Sequence, residues 1–383
     1  MKAAQRAGMH VLLICLVLVG LGIVMVYSSS SVLATIKFAD SSFFLERQII
    51  RAGIGILIML VLICVPLRLW AKLSPYLLLA GLGSLVLVSF FGEGPAKRWL
   101  PLPDLLSSFS FQPSEFVKLV LVIYLADVLV RKEDEIQDFK TGFMPRLLLI
   151  GFVVGLIALQ PDLGTALAVS TIALVMLWVG GGRSLHLLYT GLAALPIVGL
   201  SLYFSPYQLK RVLSFLNRGD AQGADYQVSQ SLLALGNGGG IGVGIGDSMQ
   251  KQQFLPEPHT DFVFAFIGEE LGLAGTLSVI GLFVALAIHG FRIAREAPTR
   301  HGFLLATGIT LMISVYAVLN IGVVTGMLPT TGLPLPFISY GGSSMFWNLS
   351  GIGILVGVAR DSSAQPHSWQ GSRQDRSFVQ KSL

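Results

Sequence analysis

The residues best suited to chemistry lie together at positions 255–262, which read LPEPHTDF. Asp261 in this group directly precedes a long apolar segment, and partial burial at such a boundary raises the pKa of a carboxyl toward the range of a general base. An aspartate that only caps the following helix would show the same pattern. His259 has no second His or Cys at ligand spacing, which favours a structural hydrogen bond over metal ligation. The pattern alone leaves Asp261 as either a base or a cap.

A second pair of ionisable residues interrupts an apolar segment. Glu115 and Lys118 are three residues apart in the run QPSEFVK, so they lie on one helix face, close enough to pair. Ionisable residues cost about 2.5–3.5 kcal/mol each in a membrane-spanning helix, which makes them candidate functional residues. The pair either locks this helix against its neighbours or lines a polar cavity open to the outside near a substrate. Asp162, in the run QPDLGT, is placed to cap the helix that follows it.

Two further stretches could approach a phosphate. Lys97 and Arg98 precede Trp99, and this triplet either anchors a membrane boundary or holds a lipid-linked phosphate. Residues 236–246 contain seven glycines in eleven positions. A dinucleotide site needs a strand–turn–helix context that a loop between spanning helices does not provide, and the sequence has no GxxxxGK[ST] run. The glycines therefore form either a turn-rich loop or a surface whose backbone amides approach a phosphate.

The elements that position these residues are apolar helices. Of the 383 residues, 53% are hydrophobic and 12% are charged, whereas a soluble globular chain carries about 25% charge. Ten segments approach the roughly 20 apolar residues that a spanning helix needs. They lie at about 8–28, 49–67, 73–92, 114–130, 144–160, 163–182, 184–204, 262–290, 302–325 and 340–359. We therefore expect an all-α, polytopic membrane protein with about ten transmembrane helices.

The basic residues indicate the orientation of this bundle. With the N-terminus in the cytoplasm, sixteen of the 26 Lys and Arg residues fall on the inside and nine on the outside, and Lys118 lies within a helix. This split follows the positive-inside rule and makes both termini cytoplasmic. Residues 1–360 then form one membrane domain with a large extracytoplasmic loop at 205–260, and residues 361–383 form a disordered cytoplasmic tail. Because the basic residues mark topology, we expect no nucleic-acid partner.

Long motifs recur from the fourth to the tenth predicted helix. They are FQPSEFVKL at 111–119, QPDLGTA at 160–166, PEPHTDF at 256–262 with EELG at 269–272, and GMLP at 326–329 with PFISYGGSS at 336–344. In content and order these motifs resemble the SEDS family (shape, elongation, division and sporulation), the group that contains FtsW and RodA. The resemblance extends over about residues 8–360.

This resemblance implies a peptidoglycan glycosyltransferase that polymerises lipid II on the outer face of the bacterial cytoplasmic membrane, with a class B penicillin-binding protein as its transpeptidase partner. The family's catalytic aspartate falls on Asp261, and its functionally important Glu and Lys fall on Glu115 and Lys118. We expect substrate binding by residues of these motifs and by outward-facing cations. They are Lys97, Arg98, Gln112, Glu115, Lys118, Arg211, Lys251, Glu257, His259, Ser339 and Ser343.

Smaller features bear on the branch within the family. Tyr226 and the QVSQSL that follows it resemble the cell-division branch, FtsW. Thr331 departs from that branch, and LPLP at 333–336 resembles the elongation branch, RodA. The division branch is favoured, which predicts a location at the division septum and partners among other divisome membrane proteins. The elongation branch would predict elongasome partners instead.

One carboxylate is enough for the implied reaction. A β-linked glycan made from an α-linked diphosphate donor requires inversion, so the acceptor hydroxyl attacks directly and a base takes its proton. The diphosphate leaves readily without a second carboxylic acid, in contrast to glycoside hydrolysis. Its charge calls for cations or a divalent metal such as magnesium or manganese. The alternatives are a lipid II flippase that uses Glu115 and Lys118 in a polar path, which the lack of an evident inverted repeat disfavours, and a noncatalytic scaffold for a transpeptidase.

Overall fold

The computed structural model describes residues 3–92, 98–100, 111–216, 224–249 and 260–364. Within these ranges the protein consists of twelve α-helices, and its extended pairing is limited to one bridge between Leu100 and Phe111. The helices are α1 (Ala3–Phe38), α2 (Phe43–Ile63), α3 (Leu67–Phe91), α4 (Pro113–Arg131), α5 (Met144–Ala158), α6 (Leu163–Val179), α7 (Ser184–Phe204), α8 (Pro206–Leu216), α9 (Ala224–Gly238), α10 (Val263–Arg295), α11 (Arg300–Val324) and α12 (Gly342–Ala364). The all-α prediction is confirmed.

Ten of these helices, α1–α7 and α10–α12, coincide with the ten apolar segments of the sequence. Six stretches are long and apolar enough to cross a membrane: Ala3–Phe38, Leu67–Phe91, Phe139–Ala158, Val263–Arg295, Arg300–Val324 and Gly342–Ser362. The helices α2 and α4 carry at least three charged residues each, and α6 and α7 offer shorter apolar runs. The protein is therefore an integral membrane protein, while the count of ten spans and the cytoplasmic termini stay predictions.

The long loop between α7 and α10 contains two helices that the apolar pattern does not reveal. The eleven residues of α8 extend about 16 Å, which is too short to span a membrane. The second helix, α9, packs on the end of α11, where the Ser231 hydroxyl donates to the Val324 carbonyl at 2.8 Å. Ala234 of α9 is fully buried. The described part of the loop is thus folded onto the helix bundle.

Among the six stretches long enough to cross a membrane, those in α11 and α12 are the most buried. Their apolar stretches are 67% and 89% buried, compared with 28% for α3. Gly308 permits close packing between α11 and its neighbours, because an added Cβ would lie 2.6 Å from Val122 and 2.7 Å from the Met176 sulfur. Outer helices leave apolar side chains such as Leu79 and Phe90 exposed, as expected of surfaces that face lipid.

The segment between α11 and α12 is irregular but largely buried. Leu333 and Leu335 are at most 2% exposed. Ser339 holds the segment together, since its hydroxyl accepts from the Leu335 amide at 2.9 Å and its carbonyl accepts from the Gln48 side chain at 3.5 Å. A hydrogen bond within the segment and one from Gln48 of α2 therefore hold its backbone in place.

The C-terminal helix continues past the predicted domain boundary. The predicted tail begins at residue 361, whereas α12 extends to Ala364. Four residues of that tail are therefore helical. Ser362 is buried and donates to the Val358 carbonyl at 2.8 Å, and the Asp361 carboxylate accepts from the Leu67 amide at the start of α3 at 3.4 Å. The remainder of the predicted tail lies outside the described residues.

Candidate active site

Asp261 lies just before α10 and is half-buried. Its backbone is fixed by Asn320 of α11, whose side-chain amide donates to the Asp261 carbonyl at 2.9 Å and to the Leu333 carbonyl at 2.7 Å. Asn320 is 1% exposed, and its side-chain oxygen is buried without a hydrogen-bond partner. One side chain therefore holds the start of α10 and the segment after α11 in a fixed relation.

Asp261 lines a recess with about 270 Å³ of empty space, including its opening to solvent. The other residues of this Asp261 recess come from α8, α9, α11, the residue before α10 and the segment that follows α11: Arg211, Gln227, Phe262, Asn320, Val323, Thr330, Thr331, Gly332 and Leu333. The Arg211 guanidinium donates to the Thr330 carbonyl at 3.3 Å. A carboxylate and a guanidinium thus line the same recess, which suits proton removal beside a binding site for an anion.

Gly332 leaves room for the Asp261 carboxylate. Its φ of +71° is a conformation that favours glycine, and a Cβ at this position would lie 3.5 Å from the Asp261 Oδ2 atom. A larger side chain here would strain the backbone and fill space beside the carboxylate. The glycine therefore helps to keep Asp261 accessible from the recess.

The Glu115–Lys118 pair lies inside the protein. The Lys118 Nζ atom is 2.6 Å from a Glu115 carboxylate oxygen, and the two side chains are at most 2% exposed. The ammonium also lies 4.0 Å from the centre of the Tyr316 ring, an arrangement that stabilises a cation. This geometry favours the ion pair that locks α4 against its neighbours over a lining of a cavity open to the outside.

Asp162 caps α6 and contacts two of the predicted substrate-binding residues, Gln112 and Arg98. Its carboxylate accepts from the Thr165 amide at 3.2 Å, so the predicted cap is present in the structure. The same carboxylate accepts from Gln112 at 3.4 Å and lies 3.7 Å from the Arg98 guanidinium. Arg98 further donates to the Gln160 carbonyl at 3.2 Å and to that of the next residue at 2.6 Å. In this structure the Arg98 guanidinium is directed at protein oxygens and holds the entry to α6.

The remaining predicted site residues have separate positions. Ser343 pairs with the Gln112 backbone, since the Gln112 amide donates to its hydroxyl at 3.2 Å, and Ser339 serves the irregular segment described above. Thr331 connects this region to the Asp261 recess, because a Cβ on Gly164 of α6 would lie 2.5 Å from its carbonyl oxygen. Four predicted residues lie outside the described ranges: Lys97, Lys251, Glu257 and His259.

Several residues that shape the site are absent from the sequence-based set. Asn320 is an amide within the apolar segment of α11, and this signal could have identified it. Arg51, one of the nine basic residues that the topology predicts on the outside, is instead buried within α2, 4.8 Å from the Tyr340 ring centre. Gln227 reaches the recess only because α9 folds back onto the bundle, which no local pattern indicates.

The described residues include no group of three or more His, Cys, Asp or Glu side chains that could hold a metal. In the Asp261 recess the residues with side-chain oxygens are one carboxylate, Asp261, the amides Gln227 and Asn320, and the hydroxyl residues Thr330 and Thr331. A single carboxylate with neutral oxygens would hold Mg²⁺ together with the water and substrate phosphate oxygens that commonly complete its shell. The magnesium or manganese ion stays a prediction.

Comparison with known proteins gives a consistent result. The family model described as Cell cycle protein, for FtsW, RodA and SpoVE, matches residues 9–364. A probable peptidoglycan glycosyltransferase FtsW of Trichlorobacter lovleyi is 41% identical over 353 residues, which cover 91% of this chain and 92% of that protein. Stage V sporulation protein E of Bacillus subtilis is 42% identical over 354 residues, covering 91% and 95%.

A solved structure agrees with these sequence matches. A chain from a peptidoglycan synthase complex, studied for its coordination of polymerization and crosslinking, has a TM-score of 0.77 and 31% identity, covering 92% of this chain and 97% of that chain. The motifs, the helical fold and the matched length point to one family. The chain belongs to the SEDS family of FtsW, RodA and SpoVE proteins.

Proposed function

We propose that this protein is a peptidoglycan glycosyltransferase that polymerises lipid II on the outer face of the bacterial cytoplasmic membrane, with Asp261 as the general base. Membership of the SEDS family and the FtsW relative at 41% identity support this activity. The observation that carries the assignment of the base is the Asp261 recess, where a half-buried carboxylate and the Arg211 guanidinium face one solvent-accessible space.

In the proposed reaction the acceptor sugar hydroxyl attacks the anomeric carbon of the donor. The new bond joins the acceptor oxygen to that carbon, and the bond between the carbon and the diphosphate oxygen breaks. The acceptor proton goes to the Asp261 carboxylate, and the electron pair of the broken bond leaves with the lipid diphosphate. Arg211 stabilises the charge that develops on this leaving group. A bound magnesium or manganese ion would supply further charge neutralisation there.

The proposed activity and the similar proteins also suggest a partner and a location. Polymerisation produces strands that need crosslinking, and the similar solved chain comes from a complex that coordinates both reactions. We infer a class B penicillin-binding protein as the partner. The FtsW relative and the motif around Tyr226 favour the division branch, and we therefore propose that the protein acts with other divisome proteins at the septum.

The test is polymerisation of lipid II by the purified protein in detergent, where the two sides of a membrane no longer exist. A general base contributes about 10²–10⁴-fold to a rate, so we expect Asp261→Asn to lower kcat by that factor without changing thermal stability. Asp247→Asn is the matched control, because Asp247 is an exposed carboxylate of the same loop. We expect this control to polymerise at the wild-type rate.

Two results would contradict the proposal. Wild-type kcat in Asp261→Asn would exclude the aspartate as the base. Lack of any glycan product from the wild-type protein with a suitable partner present, together with lipid II movement across vesicles, would support the flippase instead.

A further inference from the structure

The helix α10 is broken at Gly272, whose φ of +65° lies outside the helical region. A break leaves the carbonyls of the preceding turn and the amides of the following turn without helical partners. Within a membrane segment each unsatisfied group is costly, and such a break persists only where other protein groups bond to it. The residues that bond to these backbone groups therefore indicate the role of the break.

The glycine-rich stretch after α9 supplies these partners. Residues 239–244, here called the glycine clamp, bond to both sides of the break. The amides of Val243 and Gly244 donate to the Glu269 and Glu270 carbonyls at 3.0 and 3.1 Å. The carbonyls of Gly239 and Gly240 accept from the Leu273 and Ala274 amides at 2.9 and 3.1 Å. Four backbone hydrogen bonds thus join the clamp to the two halves of α10.

Glycine is required at the contact points. Gly242 has a φ of +83°, and a Cβ there would overlap the Glu270 carbonyl. A Cβ on Gly272 would overlap the Gly242 amide. Gly236, by contrast, belongs to α9, and a Cβ on it would meet nothing within 4 Å. The seven-glycine run therefore contains positions that need glycine for contact with α10 and at least one that does not.

A buried side chain secures the clamp at its C-terminal end. Glu269 is 1% exposed, and its carboxylate accepts from the Ser248 hydroxyl and, at 3.3 Å, from the Met249 amide. At the other end, α9 is held to α11 through Ser231, as described above. The clamp is consequently anchored on both sides. Through α9 it connects the half of α10 that follows Asp261 to α11, which also lines the Asp261 recess.

We propose that the glycine clamp is a positioning device for the catalytic aspartate, with Ser248 and Glu269 as positioning residues. This inference rests on the proposed role of Asp261. The half-helix between Asp261 and the break, residues 263–271, is about 14 Å long. A tilt of about 4° at the break would therefore move Asp261 by about 1 Å, a displacement that can lower a rate about 100-fold. The clamp prevents this tilt because it bonds to both sides of the break.

The first test compares two variants of Ser248, one without and one with a hydroxyl, in the same polymerisation assay. Ser248→Ala removes the donor to Glu269, and we expect kcat to fall about tenfold or more while KM for lipid II stays within about twofold. Ser248→Thr keeps a hydroxyl, and we expect it to restore kcat to near the wild-type value. A role in stability alone would lower the melting temperature and leave kcat per folded molecule unchanged.

The second test uses two glycines of the same run. We expect Gly242→Ala to lower kcat about 10- to 100-fold, whereas Gly236→Ala should leave it unchanged. Each variant is assayed as the monodisperse fraction after size-exclusion chromatography. If Gly242→Ala does not fold, the Ser248 pair decides the question.

The outcomes separate this inference from the proposed function. Wild-type kcat in Ser248→Ala overturns the clamp, and so do equal losses in Ser248→Ala and Ser248→Thr. If Asp261→Asn is inactive in the same experiment, the proposed function stands while the clamp fails. If Asp261→Asn is fully active, the base assignment fails first, and the clamp has no catalytic aspartate to position.

Discussion

The Asp261 recess and the Glu115–Lys118 pair each combine a carboxylate with a cation, but they differ in access. Asp261 is half-buried and, together with Arg211, lines a recess whose empty space, including its opening to solvent, is about 270 Å³. Glu115 and Lys118 contact one another at 2.6 Å and are almost completely enclosed. A buried pair satisfies its own charges, whereas charges around a recess can act on a bound molecule. We therefore interpret the same residue types as a candidate catalytic site in one place and as a packing contact in the other.

Variants of the Glu115–Lys118 pair test this contrast with the largest expected effect, a loss of protein stability. Removal of one partner from a buried ion pair typically costs about 3–5 kcal/mol, because an uncompensated charge remains in the interior. We expect Glu115→Gln and Lys118→Met to lower the free energy of unfolding by about that amount. The double variant Glu115→Gln/Lys118→Met should be more stable than either single variant. Unfolding in detergent measures the difference.

The activity of the folded double variant sharpens the same comparison. If the pair serves packing, that variant polymerises lipid II at close to the wild-type rate per folded molecule. Loss of polymerisation with retained stability would instead show that the pair acts on the substrate, and the contrast between the two regions would be wrong.

A smaller effect is expected at the cation of the recess. Hydrogen bonds to charged groups contribute about 1.5–3 kcal/mol, so Arg211→Ala should lower kcat/KM about 10- to 100-fold. Lys210→Ala is the matched control, since Lys210 is its exposed neighbour in α8 and carries the same charge. Equal losses in the two variants would mean that general attraction of the anionic lipid, and not contact in the recess, explains the effect.

The smallest effect concerns the helix cap between the two regions. Asp162→Ala removes the acceptor for the Thr165 amide, and loss of a cap costs about 1 kcal/mol. Asp162→Asn keeps a capping oxygen and should retain most of this stability. Thermal unfolding of the two variants gives the comparison. A similar loss in both variants would indicate that the charge facing Arg98, and not the cap, is what matters.

The parts of this molecule that follow local rules could be predicted from the sequence. Apolar segments of about 20 residues predicted the ten helices α1–α7 and α10–α12. The aspartate before Leu163 predicted the cap of α6. The pairing of Glu115 with Lys118 followed from helical spacing. Each of these features depends on residues within a few positions of one another, so the sequence contains the information directly.

The features that depend on distant contacts could not be predicted in the same way. The sequence predicts that Arg98 either anchors a membrane boundary or binds a phosphate, and it does not reveal the three oxygens at the entry to α6 that lie close to the guanidinium in the structure. The glycine run predicts a loop or an anion-binding surface, whereas its partner in the structure, the break at Gly272, is about 30 residues away in the sequence. Asn320 holds Asp261 from a position 59 residues further along the chain. Spacing in the sequence does not reveal which of these segments meet.

The Asn320 contact also sets the order in which the site can form. Synthesis proceeds from the N-terminus, so Asp261 leaves the ribosome before α11 and before the segment that contains Leu333. Until those residues are inserted, the Asp261 carbonyl has no Asn320 amide to bond to, and one wall of the recess does not exist. A nascent chain that stops before α11 therefore contains the aspartate and lacks the recess, so the site is completed only after α11 and the segment with Leu333 have been synthesised.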